Sequence, residues 1–116
     1  MRRLPFAVLS AATLLLAGCR SAFIDATVAN HSTQPISLVE VDYPSASFGT
    51  QTLAPGQEYH YRFKVIGSGP VKLIYTDAAN TEQHSTGPSL NESASGKLTV
   101  IVTPTGPQWV PQYTSH

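Results

Sequence analysis

Glu58-Tyr59-His60-Tyr61-Arg62-Phe63-Lys64-Val65 is where the architecture of this chain is most legible. Tyr59, Tyr61, Phe63 and Val65 fall on one side of an extended backbone; Glu58, His60, Arg62 and Lys64 fall on the other. That period of two belongs to a β-strand with one face buried. Three aromatic side chains on that face carry a large share of the apolar area a small domain can bury. The segment is therefore expected to be the central core strand.

Working upstream, Ala54-Pro55-Gly56-Gln57 has proline second and glycine third, as a type II turn requires. Before it lies a weaker strand, about Phe48 to Leu53, interrupted by Gly49. Ile36 to Tyr43 places Val39, Val41 and Tyr43 on one face and Glu40 and Asp42 on the other. Ile36 is out of phase with that set, which predicts a bulge or a sheet edge near Pro35. The polar cluster 30–35 separates this strand from an earlier one, in which Ile24, Ala26 and Val28 alternate with Asp25, Thr27 and Ala29.

Downstream, Gly67-Ser68-Gly69-Pro70 turns the chain into Val71–Asp77, with Val71, Leu73 and Tyr75 on one face. Asp77-Ala78-Ala79-Asn80 is positioned to close a hairpin onto the polar strand Thr81–Thr86, which reads as a solvated edge. Gly87 to Gly96 reads as a loop, and Lys97–Thr103 as a last strand with Leu98, Val100 and Val102 inward. No trustworthy helical periodicity follows residue 19. Short strands with turn signals every 8–12 residues or so describe a β-sandwich.

Seven strands is the immunoglobulin-like number. Val28-Ala29-Asn30-His31-Ser32 with Gln34-Pro35-Ile36, then Leu53-Ala54-Pro55-Gly56, resemble the first hairpin and mid-domain turn of bacterial Ig-like or fibronectin-III-like envelope modules. That resemblance covers residues 24–103 and implies a seven-stranded antiparallel sandwich. The cysteine pair and core tryptophan of antibody domains are absent. An odd strand number would place the two ends of the sandwich at opposite poles, with the tail after Thr103 pointing away from the first strand.

The segment before residue 24 has another character. Arg2 and Arg3 precede an uncharged, mostly apolar run from Leu4 to Leu16, then Leu16-Ala17-Gly18-Cys19. A basic start, a short apolar run and a small-residue exit make secretory signal architecture, and the run is too short to span a bilayer as a helix. The exit resembles the bacterial lipobox, which implies cleavage between Gly18 and Cys19 and acylation of Cys19 with lipid such as palmitate. The expected organisation is a signal peptide at 1–18, a lipidated tether at 19–23, the sandwich at 24–103 and a Pro-rich tail at 104–116. The tether of Arg20 to Phe23 reaches about 15 Å when extended, so the domain is expected to sit against the membrane. Arg20 follows the anchor cysteine where enterobacterial-type lipoproteins use aspartate for inner-membrane retention, and by that resemblance the outer membrane is favoured.

Loss of Arg2 and Arg3 leaves five basic against seven acidic residues, and no basic cluster suited to nucleic acid. One cysteine cannot form an intramolecular disulfide. The tail holds the only tryptophan, Trp109, with Tyr113 and three prolines. Two readings arise: Trp109 folds back over the sandwich, or Trp109 and Tyr113 form an extended docking peptide for an envelope partner. His31, His60, His84 and His116 show no close ligand spacing, so no metal is expected. The alternative is a periplasmic metal- or small-ligand-binding module using His60 with His31 or His84. Ser68 lies in a hairpin-type turn, unlike a nucleophile elbow, and no paired carboxylates stand out. A non-catalytic binding or assembly module is expected, without cofactor beyond the lipid on Cys19, bound to the membrane through it and to a protein partner.

Overall fold

The computed structural model describes residues 22–114. Gly18 and Cys19, with the rest of the expected signal peptide and the start of the expected tether, lie outside the described residues. Eight strands are present among them: β1 (Ile24–Asn30), β2 (Ile36–Tyr43), β3 (Ala46–Leu53), β4 (Glu58–Phe63), β5 (Gly69–Thr76), β6 (Glu82–Leu90), β7 (Ser95–Thr103) and β8 (Gly106–Thr114). They form two four-stranded sheets, ordered β4-β1-β7-β8 and β3-β2-β5-β6. The all-β, sandwich-like expectation holds. The strand count is eight instead of seven, and the first sheet is mixed, because β1 and β7 run parallel with Ile24 opposite Gly96 and Asn30 opposite Val102.

The core follows the alternations read from the chain. Ile24 and Val28 of β1, Val71 and Leu73 of β5, and Leu98, Val100 and Val102 of β7 are all almost completely buried between the sheets. Each such side chain contributes about 1.5–3 kcal/mol by leaving water. The phase break in β2 is a bulge: the register against β5 shifts between Ser37 and Glu40. Leu38 takes the extra position, with φ 49° and 62% exposure. Ile36 thereby returns to the core beside Val39 and Val41.

Three expectations are corrected. First, β4 is an edge strand, hydrogen-bonded to β1, and Tyr61 remains 41% exposed. Its rings close the side of the sandwich instead of filling the middle. Tyr61 stacks on Phe48 of β3 with centroids 4.4 Å apart, and Phe63 stacks on Tyr43 of β2 at 4.0 Å. A phenol suits such a rim, since the ring packs while the hydroxyl stays wet.

Second, the loop expected from Gly87 to Gly96 is mostly strand. β6 continues through Gly87 and Pro88 to Leu90, accommodated by a register shift between Pro70 and Lys72 of its partner β5. Leu90 is fully buried.

Third, the Pro-rich tail is β8, antiparallel to β7 from Thr103↔Gly106 to Ser95↔Thr114. It runs back to the end of the sandwich where β1 begins, so both described termini share one pole and the outward-pointing tail is overturned. Its prolines are tolerated for a directional reason. Gly96 N–H donates to Phe23 O at 3.1 Å and His31 N–H to Val102 O at 2.8 Å, so even-numbered residues of β7 bond towards β1. Their partners on β8 are the odd-numbered Pro107, Trp109, Pro111 and Tyr113, which face the open edge. A missing N–H there costs no ladder bond.

Candidate functional site

The pole opposite the start of β1 gathers the β1–β2, β3–β4, β5–β6 and β7–β8 connections. Its anchor is Asn30, the one buried polar residue among the described residues, at 0% exposure. Asn30 Nδ2 donates to Gln34 O and to Leu53 O, both at 2.9 Å. Its Oδ1 accepts from Ser32 N–H at 3.0 Å and from Ser32 Oγ at 2.6 Å. Its backbone N–H donates to Gln57 O and its carbonyl accepts from Gly56 N–H. One side chain thus fastens the β1–β2 turn to the end of β3, while its backbone holds the β3–β4 turn. Gly56, at φ 81°, supplies the left-handed position of that turn.

Across the pole, Asp77 organises the β5–β6 hairpin. Its Oδ1 accepts from Ala79 N–H and Thr81 N–H at 3.0 Å each, and its Oδ2 from Gln83 Nε2 at 3.0 Å. The Thr81 backbone bond, then that of the Gln83 side chain, hold the carboxyl below its ordinary pKa. Burial, then the Asp77 charge, raise the pKa of the neighbouring Tyr75 hydroxyl. In the β7–β8 turn, Thr103 Oγ1 donates to Gly106 O at 2.8 Å and accepts from Thr105 N–H at 3.3 Å.

Between these three turns lies a cleft of about 430 Å³. Its walls are residues 32–36, Tyr75 with Asp77–Ala79 and Gln83, and residues 102–106. Pro35, Ile36, Tyr75, Val102 and Pro104 give it apolar surface; Gln34, Gln83 and threonine hydroxyls give it hydrogen-bonding groups. That mixture suits a small polar-apolar ligand or an inserted side chain. Asp77 has three donors already, so it could serve as a base only by releasing its own turn.

The residues singled out from the sequence are scattered. His60 lies on the outer face of the first sheet, sharing a hydrogen bond with Thr27 Oγ1 at 2.9 Å and standing 3.3 Å from Glu58. His84 lies on the outer face of the second sheet, 3.1 Å from Glu82. His31 is exposed in the β1–β2 turn. The fold therefore does not bring His60 together with His84, and among the described residues no three His, Cys, Asp or Glu side chains gather as a metal set.

Trp109 folds back. Its Nε1 donates to Ser85 Oγ at 2.9 Å and its ring covers Gly87, where an added Cβ would come within 2.7 Å of the indole. Tyr113 Oη donates to Ser89 O at 3.0 Å. Both aromatics of the supposed docking peptide are thus occupied in joining β8 to β6 across the sandwich edge. Gly87 and Asn30 were not recognised in the sequence. The signal the sequence carries for Asn30 is the serine two residues on, the spacing of an Asx turn; its burial has no local signal.

No family model matches the chain, and no curated protein or solved structure is significantly similar to it.

Proposed function

We propose that the protein is a lipid-anchored cell-envelope lipoprotein acting as a non-catalytic binding or assembly module. The observation that carries this reading is Leu16-Ala17-Gly18-Cys19 behind Arg2-Arg3 and an uncharged apolar run. An acylated Cys19 would hold the domain within about 15 Å of a bilayer through Arg20–Phe23. Arg20 favours the outer membrane. Two facing sheets with connections gathered at their ends support an immunoglobulin-like reading in its general sense, a rigid scaffold that presents loops. The partner is an envelope protein.

Metabolic labelling with an alkyne palmitate tests the anchor. The native chain should take up the label and sediment with membranes, and Cys19→Ala should do neither. Label retained by Cys19→Ala would overturn the reading. Crosslinking in intact cells then asks which proteins the anchored domain touches.

The cleft supports a second reading, a periplasmic module for a small ligand. It commits to the pole formed by Gln34, Asp77 and Thr103 instead of the dispersed histidines. A ligand that raises the melting temperature of the native chain but not of a Gln34→Ala variant would favour it.

A further inference from the structure

We infer that β4 is a self-association edge, on which a second copy of this chain pairs antiparallel about a two-fold axis at His60. The open side of β4 is defined by the bonds on its closed side. Asn30 N–H donates to Gln57 O, which directs the even-numbered residues of β1 towards β4. Their partners are Tyr59, Tyr61 and Phe63. The N–H and C=O groups of Glu58, His60 and Arg62 therefore point out of the sheet, and β1 is the strand's one hydrogen-bonded neighbour among the described residues.

The other three edges differ. β8 loses alternate outward donors at Pro107 and Pro111. β6 carries Gly87-Pro88 and a register shift opposite. β3, from Ala46 to Leu53, has no charged residue to fix a register.

In β4 the charges are self-complementary. With His60 opposite His60 of the second copy, Glu58 stands opposite Arg62 and Arg62 opposite Glu58. These three are the narrow, hydrogen-bonded pairs, worth about six backbone bonds. On the inner face the same register sets Tyr59 opposite Tyr61 in wide pairs, where cross-strand side chains approach most closely. That contact would cover Tyr61, whose 41% exposure is high for an aromatic packed on Phe48. Edge charges commonly serve to repel neighbours. Here their order attracts a copy of the same strand instead.

The outer-face groups are free to respond. Arg62 is held by an exposed contact of 3.7 Å to Asp25 and by the Phe23 ring, 4.5 Å away, and Glu58 by His60. A two-fold perpendicular to the sheet turns both outer faces the same way. Phe23, which leads into the tether, lies on that face against Arg62, so both tethers stay on one side of the pair. The pairing itself requires no lipid.

The test is oxidative crosslinking of the full chain carrying Cys19→Ser, so that the introduced thiol is the one that can react. Paired residues in a narrow position have Cα atoms about 5.5 Å apart, within disulfide range. His60→Cys should give a reducible dimer, whereas the parent chain and His84→Cys, equally exposed on the other sheet, should not. Arg62→Glu added to His60→Cys puts like charges opposite in two pairs and should lower the dimer yield about tenfold. Adding Glu58→Arg to that chain should restore it. Dimer from His60→Cys no greater than from His84→Cys overturns the proposal, as does a yield indifferent to Arg62→Glu or not restored by the swap. Circular dichroism of each variant separates loss of pairing from loss of fold, and His60→Pro, which removes an outward N–H and no ladder bond to β1, should abolish pairing in a folded chain.

Discussion

Replacing Asn30 by alanine should be among the most damaging single changes available in this domain. The side chain makes four hydrogen bonds, two as donor to Gln34 O and Leu53 O and two as acceptor from Ser32. Ser32 and Gln34 lie near solvent, so their freed groups can bond to water, and those bonds are worth about 0.5–1.5 kcal/mol each. Leu53 O is different, because it is bonded in buried surroundings. Left unpaired, a buried carbonyl costs about 1–3 kcal/mol. The sum is about 2.5–7.5 kcal/mol, a large part of the roughly 5–15 kcal/mol that holds a typical domain together. At about 4–8 °C per kcal/mol for a domain of this size, the melting temperature should fall by at least about 10 °C, and by about 20 °C or more at mid-range. Asn30→Asp should do at least as much harm, since a carboxylate would face two carbonyl oxygens. The assay is thermal unfolding followed by circular dichroism, on the chain with Cys19→Ser, with Ser32→Ala as a comparison expected to lose only about 1 kcal/mol. A drop below about 5 °C for Asn30→Ala would refute the reasoning, and would mean that water replaces the amide at this pole.

Other outcomes follow from single contacts. Gly87→Ala should displace the Trp109 ring and cost about 2–3 kcal/mol in denaturant unfolding, close to the cost of Trp109→Ala, because the clash and the truncation undo the same seam. Leu38 is 62% exposed at φ 49°, so Leu38→Asn or Leu38→Gly should be neutral or stabilising by up to about 1 kcal/mol; clear destabilisation would show that the leucine has a packing role. Asp77 has a folded pKa lowered by its turn bonds, so its contribution is present at neutral pH and lost as pH falls through the folded value. The gap in melting temperature between native protein and Asp77→Ala should therefore narrow as the pH is lowered through and below the ordinary carboxylate range. A gap that stays constant would mean the carboxyl does not titrate with unfolding.

What was legible in the sequence depended on whether a residue's environment is set by its neighbours in the chain. β1, β5 and β7 lie inside their sheets with one face buried, and their alternation names the core residues directly. In β4 the alternation is equally clean, yet the strand lies at the edge of its sheet. A period of two reports which face is inward but not how far in the strand lies, and Tyr61 at the rim alternates as a central residue would. β8 has no clear local signal, because proline reads as a strand breaker unless its N–H direction is known, and that direction is set by pairing with β7, about seventy residues from β1. The parallel pairing of β1 with β7 has no local signal at all. At the site, the Asp77 hairpin and the Gly56 turn were visible as turn chemistry, whereas the cleft between them exists only once β8 turns back at Gly106.

The pairing of the tail as β8 bears on how a chain with a single cysteine closes its sandwich. Two sheets packed face to face leave two open sides, and small exported domains commonly staple them with disulfides. Here each side is closed by aromatics reaching across. Phe48, Tyr61, Phe63 and Tyr43 stack along the β3–β4 side, with centroids as close as 4.0 Å. Trp109 and Tyr113 bond to Ser85 and Ser89 along the β6–β8 side. The two seams differ in kind. The second is hydrogen-bonded as well as packed, and its outer strand is blunted by proline, so it is finished. The first is packed but leaves Tyr61 partly exposed and a row of backbone groups unpaired on β4. Deleting β8 should therefore unfold the domain, whereas substituting Tyr61 by serine should cost stability modestly, about 1–2 kcal/mol for a half-buried ring, and cost association more. If Tyr61→Ser leaves association untouched while destabilising the fold, the aromatics of that side serve closure alone, and pairing through β4 loses its inner-face contribution.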